Sequence, residues 1–119
     1  MKIRCVSSLL KPLAFLFLVL FVSCQSTGSF HFGSYSEGER LYEKREYGKA
    51  IAKYEEYIRD HPEGNMAVIS QYYMARSYEE LGQAEKAREI YEKIVKEKPQ
   101  LIWASFSKTR LEEIKKQAV

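Results

Sequence analysis

The side chains that could do chemistry in this chain are few, and their spacing argues against a catalytic or metal site. Three pairs of adjacent carboxylates occur, at residues 55–56, 79–80 and 112–113. Neighbouring residues on a helix point about 100° apart, so the two members of a pair cannot act on one atom. The two histidines, His31 and His61, have no second ligand at metal-binding spacing. We therefore expect no catalytic residue, no metal, no cofactor and no small-molecule substrate.

Cysteine chemistry is the exception, and it lies near the N-terminus. Cys24 follows the unbroken apolar run 13–22 after one small residue, Ser23, and basic residues precede the run. A basic start, an apolar core and small residues are the order of a secretory signal. The run is about half of the roughly 20 residues that a membrane-spanning anchor needs, which argues against that alternative. The only other cysteine, Cys5, lies in the signal, so we expect no disulfide in the exported part.

The segment 20–24, which reads LFVSC, resembles a bacterial lipobox. That resemblance implies a lipoprotein signal peptide over residues 1–23, cleavage before Cys24, and lipidation of its thiol by palmitate-type acyl chains. Each buried methylene of such a chain contributes about 0.8 kcal/mol to membrane binding. Ordinary cleavage near Ser23, with Cys24 left as a free thiol, is the alternative.

Removal of the signal abolishes the net charge. The whole chain carries +3, and the signal contributes three basic and no acidic side chains. The remaining residues are electrically balanced, so the basicity belongs to targeting and does not indicate a nucleic-acid partner.

The middle of the chain contains the same stretch twice. Residues 47–58 return as residues 84–95, always at an offset of 37. Ala50 corresponds to Ala87, and Tyr54 corresponds to Tyr91. A repeat of this length predicts stacked supersecondary units that present a surface to another protein.

Apolar spacing and helix-breaking residues predict five helices and no strand. We expect them at about 35–45, 47–60, 65–81, 84–97 and 101–117. Pro62 and Pro99 end the second and fourth helices, and Gly82 ends the third. The polar residues 24–33 form a flexible tether in this interpretation.

Small and aromatic residues at set positions of each helix pair resemble tetratricopeptide repeats. The positions that carry the resemblance are Gly38, Leu41, Tyr47, Ala50, Tyr54 and Pro62, then Ala75, Tyr78, Gly82, Ala87, Tyr91 and Pro99. The resemblance implies an all-α fold, a short α-solenoid of two helical hairpins with a C-terminal capping helix. The domain would span 34–119, with repeats at about 34–64 and 68–101 and the cap at about 101–117. A generic helical bundle is the alternative.

The offset of 37 exceeds the usual repeat of about 34 residues. Longer repeats directly after a lipidated cysteine resemble the BamD family of outer-membrane protein assembly lipoproteins. That resemblance implies an outer-membrane anchor facing the periplasm and a protein partner, the periplasmic domains of a BamA-like insertase. Gln25, in place of an inner-membrane-retaining aspartate, also favours the outer membrane. The alternative is a general periplasmic scaffold at cell-division or peptidoglycan sites.

Ligand-facing positions carried over from the repeat family predict where a partner binds. They are Tyr35, Glu39 and Tyr42 in the first repeat, and Ile69, Tyr72 and Arg76 in the second. Aromatic and arginine side chains contribute most at protein interfaces. The alternative is that Tyr35 and Tyr72 pack between helices. On the cap, apolar side chains are expected to cover the flank of the second repeat: Trp103, Phe106, Leu111 and Ile114.

Overall fold

The computed structural model describes residues 33–119, and these residues form five α-helices and no strand. The helices are α1 (Gly33–Glu43), α2 (Tyr47–Asp60), α3 (Asn65–Glu80), α4 (Ala84–Glu97) and α5 (Ile102–Gln117). The expected signal peptide, the lipidation site Cys24 and the tether up to residue 32 lie outside the described residues.

Helices α2 and α4 are the second helices of two hairpins, and each buries one face. Ala50 and Tyr54 are 0% exposed in α2, as are their counterparts Ala87 and Tyr91 in α4. Both helices end before a proline, because the preceding residue leaves helical geometry. His61 has φ −135° and ψ 72° there. The apolar spacing therefore predicted the buried face of these helices, and the prolines predicted where they end.

The turn inside each hairpin has the same hydrogen bonds. The Glu46 amide donates to the Leu41 carbonyl at 2.9 Å, and the Gln83 amide donates to the Tyr78 carbonyl at 2.8 Å. Such a bond closes a helix when the residue just before its amide donor is left-handed. That residue is Arg45, with φ 61°, in the first hairpin and Gly82, with φ 73°, in the second.

Each helix packs chiefly against its neighbours in sequence, and α3 also touches α5. The first core lies between α1, α2 and α3 and includes Tyr35, Leu41, Ala50, Tyr54 and Tyr57. The second lies between α3, α4 and α5 and includes Val68, Tyr72, Ala75, Ala87, Tyr91, Ile94, Ala104 and Ile114. Helix α3 contributes to both cores, because its partly buried residues Met66, Ile69, Tyr73 and Met74 pack against the first one.

Helix α5 repeats α3 at the same offset of 37 residues. The bounds 65–80 become 102–117. Ser70 and Ser107 are both fully buried, and each hydroxyl donates to the carbonyl four residues earlier, at 2.8 and 2.7 Å. The capping helix therefore occupies the position of the first helix of a third repeat.

The all-α prediction of two tetratricopeptide-type hairpins and a capping helix is confirmed. The bounds differ by one or two residues at α1, α3 and α5. Helix α1 spans 33–43 and not 35–45, because the left-handed Arg45 cannot continue it. Leu101, expected in the last helix, is extended with ψ 147° and precedes that helix.

Candidate partner-binding surface

A line of aromatic rings crosses α1, α3 and α5. The Tyr42 ring lies 5.6 Å from that of Tyr73, which lies 6.1 Å from that of Trp103. Phe106 extends the line, 5.5 Å from Trp103. We call Tyr42, Tyr73, Trp103 and Phe106 the aromatic row. Its first three members are half-buried, and Phe106 is 43% exposed. Partly exposed aromatic rings in edge and tilted contact are typical of protein-binding surfaces.

Two of the predicted binding residues lie in the helix packing. Tyr35 is 8% exposed, and its ring packs against Tyr54 at 6.1 Å and Tyr57 at 5.8 Å. Tyr72 is 7% exposed and packs against Tyr91 at 5.7 Å. These two rings therefore stabilise the stack, as the alternative interpretation of the sequence expected.

The other four predicted residues are half-buried and leave part of their surface open. Tyr42 belongs to the aromatic row. Glu39 accepts a hydrogen bond from the Tyr35 hydroxyl at 2.6 Å. Ile69 packs on the first core, and Arg76 lies 4.0 Å from Glu80 on its own helix. Binding of a partner by these residues stays a prediction.

Three members of the aromatic row were not predicted as binding residues. Tyr73 follows the predicted Tyr72 in sequence, and in the structure it contacts Tyr42 and Trp103. Trp103 and Phe106 were expected to cover the second repeat, and only part of each does so. The offset of 37 could have found Phe106, because it corresponds to Ile69, a position already predicted to face a ligand.

The corresponding tyrosines of the two hairpins differ in their hydrogen bonds. The Tyr91 hydroxyl donates to the Glu79 carboxylate. The counterpart of Glu79 in the first hairpin is Tyr42, and the Tyr54 hydroxyl has no partner within residues 33–119. Arg76 Nε is the second buried polar atom without a partner in that range. A buried polar group without a hydrogen bond costs free energy, and such groups are rare.

Glu79 also connects the last three helices. Its carboxylate accepts two hydrogen bonds from Arg110 of α5, one of them at 3.1 Å from Nε, in addition to the bond from Tyr91 of α4. Arg110 also pairs with Glu113. The hydrogen bond to Glu79 is the main cause that raises the pKa of Arg110. This network is structural, because its members bind one another.

Burial raises the pKa of three tyrosines in the two cores, Tyr35, Tyr54 and Tyr91. It raises the pKa of Tyr54, and the nearby Glu39 raises it further. Burial also raises the pKa of Tyr35 and Tyr91, and each is raised further by the carboxylate that its hydroxyl contacts. All three stay neutral at physiological pH. They act as packing and hydrogen-bonding groups and not as general bases.

The described part of the chain contains neither a candidate metal-binding cluster nor a candidate membrane-spanning helix. Within residues 33–119, no three His, Cys, Asp or Glu side chains gather in a way that could hold a metal ion. None of the five helices combines the length and the apolar character that crossing a bilayer requires. The surface feature that stands out in this range is the aromatic row, and two buried polar atoms without partners, Tyr54 Oη and Arg76 Nε, accompany it.

A stack of helical hairpins with such a surface defines an interaction protein of the α-solenoid class. Residues 70–100, which cover most of α3 and all of α4, match the tetratricopeptide repeat family. No curated protein and no solved structure matches the chain. The chain therefore carries a tetratricopeptide repeat, a type of module that is typically non-catalytic and binds other proteins.

Proposed function

We propose that this protein is a lipid-anchored interaction module of the bacterial cell envelope, which holds a segment of another envelope protein against the aromatic row. The row is the observation that carries the proposal. It is continuous over three helices, and it ends at Phe106, which is 43% exposed. Aromatic side chains of this kind contribute most of the binding free energy at protein interfaces.

The polar groups beside the row support a protein segment as the occupant. Tyr54 Oη and Arg76 Nε are buried without partners in the described range. Both side chains lie near Tyr42 of the row, since the charge of Arg76 opposes the rise that burial causes in the pKa of Tyr42, and Tyr42 adds to the rise that burial causes in the pKa of Tyr54. A main chain or polar side chain lying along the row could supply the missing hydrogen bonds. Binding would then remove the free-energy cost of two unsatisfied buried polar groups, which the unbound protein bears.

The anchor rests on Cys24 and the signal-like segment before it. The balanced charge of the rest of the chain gives no electrostatic attraction to lipid, so acyl chains would supply the membrane binding. We propose an outer-membrane position facing the periplasm. As the finer function we propose an accessory role in β-barrel assembly, like that of the BamD family, with a BamA-like insertase as partner.

Photo-crosslinking in intact cells tests the surface. A benzoylphenylalanine at position 106 should crosslink one partner, whereas the same group at the exposed Lys108, on another side of α5, should not. An insertase in the product supports the assembly role, and a protein with a peptidoglycan-binding domain supports the scaffold alternative. Equal products from both positions, or none from position 106, would contradict the proposed surface.

A second arm of the experiment tests the anchor. Cells fed an alkyne-labelled palmitate should label the wild-type chain but not the Cys24→Ala variant. The variant should keep its helical circular dichroism and leave the membrane fraction. Equal labelling of both chains, or retention of the variant in membranes at high salt, would contradict lipidation at Cys24.

A further inference from the structure

A small cavity opens beside the aromatic row, between α1, α2 and α3. Its volume is about 190 Å³, and it is lined by Glu39, Tyr42, Glu43, Tyr54 and Tyr73. Two carboxylates and three aromatic rings thus surround one space. No basic side chain is among the lining residues.

The hydroxyl of Tyr54 is the unsatisfied group of this cavity. The Tyr54 side chain is 0% exposed, and its Oη has no hydrogen-bond partner in residues 33–119. The other four lining residues share the cavity with this hydroxyl, and in addition to burial their charges and dipoles raise the pKa of Tyr54 further. The hydroxyl of the corresponding Tyr91 donates to the Glu79 carboxylate, and the first hairpin has no carboxylate at the equivalent position.

The carboxylates of the cavity have no cationic partner in the described part of the chain. Glu39 accepts one bond, from the neutral Tyr35 hydroxyl, and Glu43 forms no ion pair there. Arg76, whose charge opposes the rise that burial causes in the pKa of Tyr42, lies 4.0 Å from the Glu80 carboxylate, which offsets that charge. The cavity therefore carries a negative charge that no neighbouring cation in the described residues neutralises.

We infer that this cavity binds a basic side chain, an arginine or lysine, of the partner segment. A guanidinium or ammonium N–H would donate to Tyr54 Oη and to the carboxylates of Glu39 and Glu43. The faces of Tyr42 and Tyr73 would attract the same cation through their negative π-clouds. The inference rests on the proposed function, because it names the chemistry that a partner would bring to the aromatic row.

The probe for this site is N-acetyl-arginine methylamide, and the matched control is the citrulline analogue, which has almost the same shape without the charge. Both are titrated into the purified full chain in nonionic detergent, with ¹³C-labelled tyrosine rings observed by NMR. The arginine probe should shift the ring signals of Tyr42, Tyr54 and Tyr73 with a Kd on the order of millimolar. The citrulline analogue should bind about tenfold more weakly, since it lacks the charge-assisted contacts.

Two variants separate binding from folding. Tyr54→Phe removes an unsatisfied hydroxyl, so it should raise the melting temperature while weakening arginine binding by about tenfold. Tyr91→Phe is the matched control, because it removes the satisfied hydroxyl of the second hairpin. It should lower the melting temperature and leave arginine binding unchanged. Glu43→Gln should weaken binding without a change in melting temperature, since Glu43 is exposed and makes no ion pair in residues 33–119.

Arginine shifts confined to the cavity and sensitive to both cavity variants support the inference. Equal responses to arginine and citrulline, or an arginine response that Tyr54→Phe and Glu43→Gln leave intact, would overturn it. The crosslinking experiment is independent of this titration. A partner captured at position 106 without arginine binding removes only the cavity inference, whereas arginine binding without a captured partner removes the proposed function and leaves the site.

Discussion

Arg45 and Gly82 occupy the same position in two successive turns, and only the glycine suits the backbone found there. Arg45 has φ 61° and Gly82 has φ 73°. A side chain in this left-handed region costs about 1–2 kcal/mol, because Cβ crowds the carbonyl oxygen. The fold therefore accepts a strained residue in its first hairpin where its second has the unstrained one.

Arg45→Gly should raise the free energy of unfolding by about 0.5–1 kcal/mol, since the strain relieved exceeds the entropy that a glycine loses on folding. The Arg45 side chain is exposed and makes no ion pair among the described residues, so little else is lost. Urea unfolding followed by circular dichroism measures the change.

The reciprocal variant is the control for this prediction. Gly82→Ala should lower stability by about 1 kcal/mol, although a Cβ at residue 82 would meet no atom within 4 Å. The penalty is therefore conformational and not steric. An unchanged or lowered midpoint for Arg45→Gly would show that the turn is not strained as its φ indicates.

Among the elements, α2 and α4 were the most predictable from sequence. Their apolar faces, their closing prolines and the offset of 37 between them all agree, so their bounds were predicted without error. The small residues at the helix crossings are also as expected. Ala50, Ala75 and Ala87 are 0% exposed, and a Cβ on Gly38 would lie 2.8 Å from Tyr54 Cε1.

The binding surface was less predictable, because it depends on the rotation of α1, α3 and α5 about their axes. One residue along a helix is a turn of about 100°, which separates the buried Tyr72 from the half-exposed Tyr73. Both are tyrosines, so hydropathy cannot predict which of the two is the more buried. Packing against α5 decides which ring faces outward, and the sequence of α3 alone carries no information about that packing.

Helix α5 is held on the stack partly by one charged pair. Arg110 and Glu79 are 24% and 11% exposed, respectively, and Glu79 also accepts from Tyr91. Arg110→Gln should lower stability by about 2 kcal/mol, because it leaves the Glu79 carboxylate largely buried without its cation. Lys108→Gln, on the exposed side of α5, should change it by less than about 0.5 kcal/mol.

Adding Glu79→Gln to the Arg110→Gln variant should recover part of the lost stability, since the unpaired charge is then gone. Thermal unfolding of the wild type, the two single variants and the double variant measures these effects. Equal effects of the Arg110 and Lys108 variants would show that the pair contributes nothing to the attachment of α5.

At the scale of the whole molecule, the stack is nearly one-dimensional, since each helix touches mainly its sequence neighbours. Two shared cores join the units, with α3 in both. Stability in such a stack is roughly a sum of unit and interface contributions. Conditions that weaken every unit at once should therefore unfold the stack as a whole.

Alkaline pH is such a condition, because buried tyrosines occur in both hairpins. Burial raises the pKa of Tyr35 and Tyr54 in the first hairpin and of Tyr91 in the second. In the unfolded chain a tyrosine ionises near pH 10. Between that pH and the higher pKa of the folded state, the unfolded chain binds fewer protons than the folded one, so stability falls as pH rises.

We therefore expect urea midpoints that are nearly constant from pH 8 to about 10 and that fall steeply above it. The slope should be shallower in Tyr54→Phe and in Tyr91→Phe, because each removes one group with a raised pKa. Exposed lysines also lose charge in this range, but they do so equally in all three chains, so the difference in slope isolates the tyrosines. Three identical slopes would contradict the prediction, since they would mean that these hydroxyls ionise as readily in the folded stack as in water.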